Sequence, residues 1–212
     1  MIAVIDYGMG NLRSVEKALE RVGGDARITA DPHVIRDARG AVLPGVGAFA
    51  DCMRNLEKFK LIHPILDFVS SNRPFLGICL GLQLLFAESF EFGRHEGLGI
   101  IPGIVTRFSG EHFIGPGKLK VPHMGWNQVR WEKGKMAPFD AAGDNQFFYF
   151  VHSYYVIPRD DICVAGTTEY GVEFVSAVSR GNIFATQFHP EKSQLPGLAI
   201  LKSFEALTKR WP

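Results

Sequence analysis

Apolar positions in the first ninety residues switch between two periods. Ile2-Ala3-Val4-Ile5 is a short continuous apolar run that ends at Asp6, and it reads as a buried strand. Leu12, Val15, Ala18, Leu19 and Val22 then recur at helical spacing, with Asn11 placed to cap the helix and Gly23-Gly24 to stop it. Ala26-Arg27-Ile28-Thr29 is a second strand. Asp31-Pro32 reads as an N-cap followed by proline at the first helical position. Ala41-Val42-Leu43 is a third strand and runs into Pro44-Gly45-Val46-Gly47. Residues 51 to 71 read as helical in two pieces, Pro64 opening the second. Phe75-Leu76-Gly77-Ile78 is a fourth strand, and Leu82, Leu85 and Phe86 place a helix from about Leu80. This alternation predicts a parallel sheet with helices on both faces, with ligands at the carboxyl ends of the strands.

The second half has shorter strands and more turns. Strands are expected near 100 to 107, 118 to 121, 127 to 131, 147 to 155, 162 to 168, 172 to 179 and 182 to 188. Arg180-Gly181-Asn182 reads as the hairpin turn between the last two, and Leu198 to Leu207 as a closing helix. No repeat or linker interrupts the chain. The expected architecture is α/β: a mostly parallel central sheet flanked by helices, with an added mixed or antiparallel portion in the C-terminal half. Residues 1 to 212 are expected to form a single domain.

Composition narrows the function classes. The 212 residues are 46% hydrophobic and 21% charged, enough for one sizeable core, and the formal net charge of +1 gives no basic field for nucleic acid or an anionic membrane. No apolar run reaches the length of a membrane span, and the N-terminus reads as a strand, not a signal peptide. Cys52, Cys79 and Cys163 are too few and scattered for a disulfide framework and have no metal spacing, so a reducing cytoplasm fits.

Cys79 sits between strand and helix, with Gly77 and Gly81 two residues to either side. That is the pattern of a nucleophile elbow, in which a Cβ at either glycine would collide with a neighbouring element. A sulfur at a helix N-terminus is favoured as thiolate. Taken alone, Cys79 reads more readily as a small core residue, and the flanking glycines bring the two readings level. His189 and Glu191 follow the last expected strand, share a face in extended chain and are joined through Pro190. A carboxylate beside a histidine holds one tautomer and stabilises the imidazolium, so His189 can act as base toward Cys79 with Glu191 orienting it. The glycines of Pro44-Gly45-Val46-Gly47 let backbone N–H groups point into such a site.

Gly77-Ile78-Cys79-Leu80-Gly81-Leu82-Gln83, with His189-Pro190-Glu191, resembles the class I glutamine amidotransferases. Residues Asp6 to Leu12, Pro44 to Phe49, Pro122 to Asn127 and Phe150 to Tyr155 narrow the resemblance to the HisH group, the glutaminase subunits of imidazole glycerol phosphate synthase. It runs from residue 2 to about 194. Leu82 stands where methionine is commoner, Ala185 where glycine is expected, and the stretches Glu91 to His95 and Ser109 to Gly117 match nothing. The resemblance implies hydrolysis of glutamine to glutamate and ammonia, with catalytic Cys79, His189 and Glu191. It implies substrate contacts from Gly45, Val46, Gly47, Leu80, Gln83, Ser153 and Tyr154, and neither cofactor nor metal. It also implies that ammonia passes to a HisF-type (β/α)8 cyclase, docked near Asn11, Trp126, Tyr149 and Lys192, which forms imidazole glycerol phosphate and aminoimidazole carboxamide ribotide in histidine biosynthesis. A glutaminase serving another synthase, for example in surface-polysaccharide assembly, is the alternative. A cysteine peptidase of related fold is disfavoured by Gln83 and Val151 to Tyr155, and a non-catalytic module by the intact Cys79, His189 and Glu191.

Overall fold

The parallel strands are apolar on both faces because both faces are covered. In β1 (Ile2–Ile5), Ala3 and Ile5 pack to one side with Ile35, Phe49, Leu56 and Ile65, while Ile2 and Val4 pack to the other with Val15, Leu19, Ile200 and Phe204. Each fully buried Leu, Ile or Phe contributes about 1.5–3 kcal/mol. The computed structural model describes residues 1–132 and 137–211.

α1 (Leu12–Arg21) buries Val15, Ala18 and Leu19 as its spacing predicts, and β2 (Ala26–Thr29) follows. Asn11 occupies the N-cap position, but its side chain makes no capping bond. Asp31 does cap: its carboxylate accepts from His33 N at 2.8 Å and opens α2 (Pro32–Asp37). β3 (Gly40–Gly45) takes in Pro44 and Gly45. Two helices come next, α3 (Phe49–Lys58) and α4 (Ile62–Ser70). Pro64 lies inside the first turn of α4 and does not start it; its missing N–H would have had no intrahelical partner there.

β4 (Phe75–Cys79) leads directly into α5 (Leu80–Leu84), which is shorter than expected. Phe86 belongs to β5 (Phe86–Ser89), not to the helix. The carbonyls of Leu84 and Leu85 accept from Leu98 and Ile101 at 2.9 Å each, so they are claimed by a distant segment before another helical turn can form. The remaining strands are β6 (His95–Glu96), β7 (Ile101–Arg107), β8 (His123–Gln128), β9 (Arg130–Trp131), β10 (Phe147–His152), β11 (Tyr154–Pro158), β12 (Val164–Glu169), β13 (Glu173–Arg180) and β14 (Ile183–Thr186). The closing helix α6 (Gln194–Arg210) begins four residues earlier than expected.

Among the described residues the main sheet runs β2-β1-β3-β4-β14-β13-β11-β7-β5-β6, with β12 and β9 pairing outside β13. β2 through β14 are parallel; the hairpin at Gly181 (φ +60°) turns β13 antiparallel, as the sequence predicts. Three expectations fail here. Residues 118 to 121 form no strand: Leu119 N donates to His112 O, and Lys120 O accepts from the Tyr170 hydroxyl, so the segment is tied into a loop. Residues 147 to 155 are not one strand either. The chain changes sheets at Ser153, β10 pairing with β8 in a separate two-stranded ribbon and β11 with β7 and β13. The expected strand at 127 to 131 divides likewise at Val129, which donates to Gln146 O.

Register decides what meets at the sheet's carboxyl edge. Gly45 of β3 lies beside Cys79 of β4, and Thr186 of β14 lies beside Ile78, so His189 emerges three residues past the strand on the cysteine's other flank.

Candidate active site

Cys79 has φ +57° and ψ −108°, a region costing roughly 1–3 kcal/mol for a residue with a side chain. The surroundings hold it there. A Cβ on Gly81 would overlap the Leu43 carbonyl, and one on Gly77 would lie 2.8 Å from Gly81 O. That same Cβ would lie 3.1 Å from Ala185 Cβ. The methyl of Ala185, unexpected at this position, therefore fills space that Gly77 leaves open.

His189 N donates to Tyr149 O at 2.9 Å, fixing the backbone after β14. The turn at Pro190–Lys192 then folds Glu191 back, and its Oε1 lies 2.8 Å from His189 Nδ1. A carboxylate accepts, so Nδ1 carries the hydrogen. Both side chains are buried, and His189 Nε2 and Glu191 Oε2 have no hydrogen-bond partner. Burial works against charge on His189, but the Cys79 sulfur and the Glu191 carboxylate outweigh it and raise the imidazole to about 10. No hydrogen bond between Nε2 and Sγ is formed in this state. The sulfur acts on the ring from across the cavity and favours the charged form of the imidazole.

These groups border one cavity of about 410 Å³. Of the residues singled out in the sequence, Val46, Gly47, Cys79, Leu80, Gln83, Ser153, Tyr154 and His189 line it, with Gly45 beside Cys79 in register and Glu191 behind His189. The Tyr7 hydroxyl donates to Pro44 O at 2.9 Å, and the Cys52 thiol reaches Val46 O at 3.7 Å.

The sequence matches the family Glutamine amidotransferase class-I over residues 3–206. The chain belongs to the class-I glutamine amidotransferases. Among curated relatives, the imidazole glycerol phosphate synthase subunit HisH of Syntrophotalea carbinolica is 58% identical over 96% of this chain and 98% of that one. The HisH subunit of Moorella thermoacetica is 52% identical over 98% of this chain and 95% of its own. Solved structures share the fold at low identity. PurLQS from Thermotoga maritima has TM-score 0.69 at 21% identity, covering 98% of this chain and 97% of that one. The glutaminase domain of Trypanosoma brucei CTPS with bound acivicin has TM-score 0.69 at 18% identity, covering 100% and 96%.

In this amidotransferase, four lining residues were not among the expected site residues: Glu91, and Pro122, Val151 and His152, which the sequence placed only within the matching stretches. Glu91 lies in the stretch that matched nothing. Its Oε2 accepts from Phe49 N at 2.5 Å, which places a carboxylate on the N-terminus of α3 from 42 residues away. No local pattern signals such a pairing. Gln187 was also missed; its Nε2 lies 3.7 Å from Cys79 Sγ. Its position two residues before His189 was the available signal.

The expected partner-facing residues are placed as follows. Trp126 and Tyr149 are opposed across the ribbon with ring centroids 6.0 Å apart, and Lys192 Nζ lies 5.7 Å from the Tyr149 ring centre. Trp126, Met124 and Phe147 are exposed on that ribbon. Asn11 follows the Gly8–Gly10 bend, where Gly10 approaches Pro44. No helix among the described residues is long and apolar enough to cross a membrane.

Proposed function

We propose that residues 1–212 act as one amidotransferase domain that hydrolyses glutamine and delivers ammonia to a HisF-type (β/α)8 cyclase, for imidazole glycerol phosphate synthesis in histidine biosynthesis. The observation that carries the chemistry is the Cys79 sulfur, held at positive φ above the sheet edge, sharing a cavity with a histidine raised to about 10 by sulfur and carboxylate. The relatives named HisH carry the choice of pathway.

Cys79 thiolate attacks the side-chain carbonyl of glutamine. The oxyanion is held by Leu80 N–H at the head of α5 and by a peptide N–H from Gly45 to Gly47. Tyr7 and Cys52 tether the carbonyls of Pro44 and Val46, and the Gly45–Val46 peptide between them, without such a side-chain tether, is the one assigned to aim its N–H. His189 gives its proton to the leaving ammonia, then acts as base for the water that hydrolyses the thioester, with Glu191 keeping Nδ1 protonated. Glu91, the one carboxylate among the described residues lining the cavity, suits the α-ammonium of the ligand, and Ser153 and Tyr154 line the same cavity. The exposed Trp126, Met124 and Phe147, with Tyr149, Lys192 and Asn11, supply the docking face for the cyclase; aromatic and Met side chains are enriched in such patches. The three cysteines are free thiols, in keeping with a reducing cytoplasm.

The test is stoichiometric labelling of Cys79 by a glutamine-mimicking electrophile, together with glutamate release measured with and without the cyclase. Failure to label, with no glutamate formed in the complex, would overturn the reading.

A further inference from the structure

A line of hydrogen bonds leaves the cysteine through the protein interior and ends in the ribbon. Its directions are set by one atom. Tyr154 O is a backbone carbonyl and can only accept; it takes His152 Nδ1–H at 2.8 Å and Gln83 Nε2–H at 3.0 Å. On the ribbon side, His152 is left with Nε2 as acceptor. It takes Nδ1–H of His123 at 3.0 Å, and His123 Nε2 in turn accepts from Asn127 Nδ2 at 3.3 Å. The second hydrogen of that amide goes to Glu169 O at 2.9 Å. On the sulfur side, Gln83 Nε2 also donates to Gln187 Oε1 at 3.0 Å, which turns Gln187 Nε2 toward Cys79 Sγ.

The array is buried at its centre and more open at its Asn127 end. His123, His152, Gln83 and Gln187 are all buried, and His123 is sandwiched between the rings of Tyr170 and Phe150. An additional proton on His152 would set its N–H against the N–H of His123. Both hydrogens of the Gln83 amide are spent on protein, so this amide keeps only Oε1 for the ligand. Reversing any amide or tautomer would face two donors or two acceptors in a buried place, which is costly.

We infer that His123 and His152 are positioning residues for the cysteine: by holding the Tyr154 carbonyl they orient the Gln83 and Gln187 amides, and so keep an N–H donor on the Cys79 sulfur. This rests on the proposed role of Cys79 as nucleophile. An N–H on sulfur stabilises the thiolate relative to the thiol and holds it in one direction of attack.

The experiment uses the chain assembled with a HisF-type cyclase. Two readouts are taken: kcat and KM for glutamine, and the rate at which iodoacetamide alkylates Cys79, resolved from Cys52 and Cys163 by peptide mapping. Gln187→Met and His152→Phe each remove a link at similar volume. Both should lower kcat and alkylation about tenfold, the size of one charge-assisted hydrogen bond, with KM changing much less. The double variant should be little worse than either single one. His152→Asn, which can still donate to Tyr154 O, should recover most of the rate. Alkylation and kcat at the wild-type level in His152→Phe, or no recovery by His152→Asn, would overturn the inference. Cys79→Ala separates the two layers: if it retains glutaminase activity the role of Cys79 is wrong, whereas an inactive Cys79→Ala beside a fully active His152→Phe sinks the positioning role alone.

Discussion

His189 after β14 and His152 at the end of β10 border the same cavity, and both are almost fully buried, at 2% and 6% exposure. His189 is raised to about 10, while burial pushes His152 down to about 3, with the Tyr154 carbonyl opposing and His123 and His189 adding to the fall. Exclusion of water is common to both and so cannot explain the difference. What differs is the second partner of each ring. His189 has a carboxylate on Nδ1 and a sulfur across the cavity, with Nε2 unpaired. His152 has a carbonyl on one nitrogen and a neutral ring on the other, with nothing unpaired. One side of the cavity is charged and unfinished, and the other is neutral and complete. The first can react; the second can only hold still.

That contrast is broken most directly at the charged side. Cys79→Ala should reduce glutaminase activity to background, while the assembled synthase still turns over with added ammonium salts. Equal failure with glutamine and with ammonia would show that the cysteine supports the complex and not the chemistry. His189→Asn should cost nearly as much, on the order of a thousandfold, because nucleophile and base act as a unit. Glutamate release in kinetic assays of the two variants and their double would check this; a double variant far slower than either would separate the roles.

The next effect concerns the oxyanion peptide. Side chains tether Pro44 O and Val46 O but not the Gly45–Val46 peptide between them, so that peptide is proposed to turn its N–H into the site on assembly, and one correctly aimed donor is worth roughly 10²–10³ in rate. The chain alone should therefore be slower than the complex carrying a cyclase substrate analogue by up to about that factor. Equal turnover in both would mean that the donor is already in place.

How much of this was visible beforehand follows from range. The first four parallel strands and the cysteine elbow are written in local periodicity and in glycines whose Cβ positions are blocked, so Gly77, Cys79 and Gly81 were legible. His189 and Glu191 are two residues apart, and their pairing is local too. The failures are long-range. α5 stops early because amides from Leu98 and Ile101 take its carbonyls, and a single apolar run at 147 to 155 serves two different sheets. Glu91 reaches α3 across 42 residues, and the Gln83–Gln187 amide pair spans 104. No window of neighbouring residues contains either pairing. The HisH-group resemblance recovered Ser153 and Tyr154 where the pattern of apolar positions could not.

A smaller effect sharpens the charged side alone. Glu191→Gln keeps the shape and removes the charge that helps raise His189. Activity should fall by roughly ten- to a hundredfold, less than for His189→Asn, since an orienting carboxylate can matter less than the base it serves. A loss as large as that of His189→Asn would mean that Glu191 does more than orient.

The smallest effect distinguishes the two histidines without any chemistry, through the pH dependence of unfolding. His152 and His123 have folded values of about 3 and about 4, below the ordinary 6.5, both through burial. Between roughly pH 4 and 6.5 the unfolded chain therefore binds more protons than the folded one, and stability falls as the solution is acidified, by up to about 1.4 kcal/mol per pH unit for each proton. His189 has the opposite sign. Raised to about 10, it contributes stability that is full below 6.5 and is lost as pH rises through 10. Urea unfolding measured from pH 4.5 to 9.5 should show both limbs. His152→Phe should flatten the acid limb and leave the alkaline one, while His189→Asn should do the reverse. If His152→Phe kept the full acid slope, the ring would have to be protonated in the folded chain, the Tyr154 carbonyl would no longer fix a neutral tautomer, and the neutral side of the cavity would not be neutral.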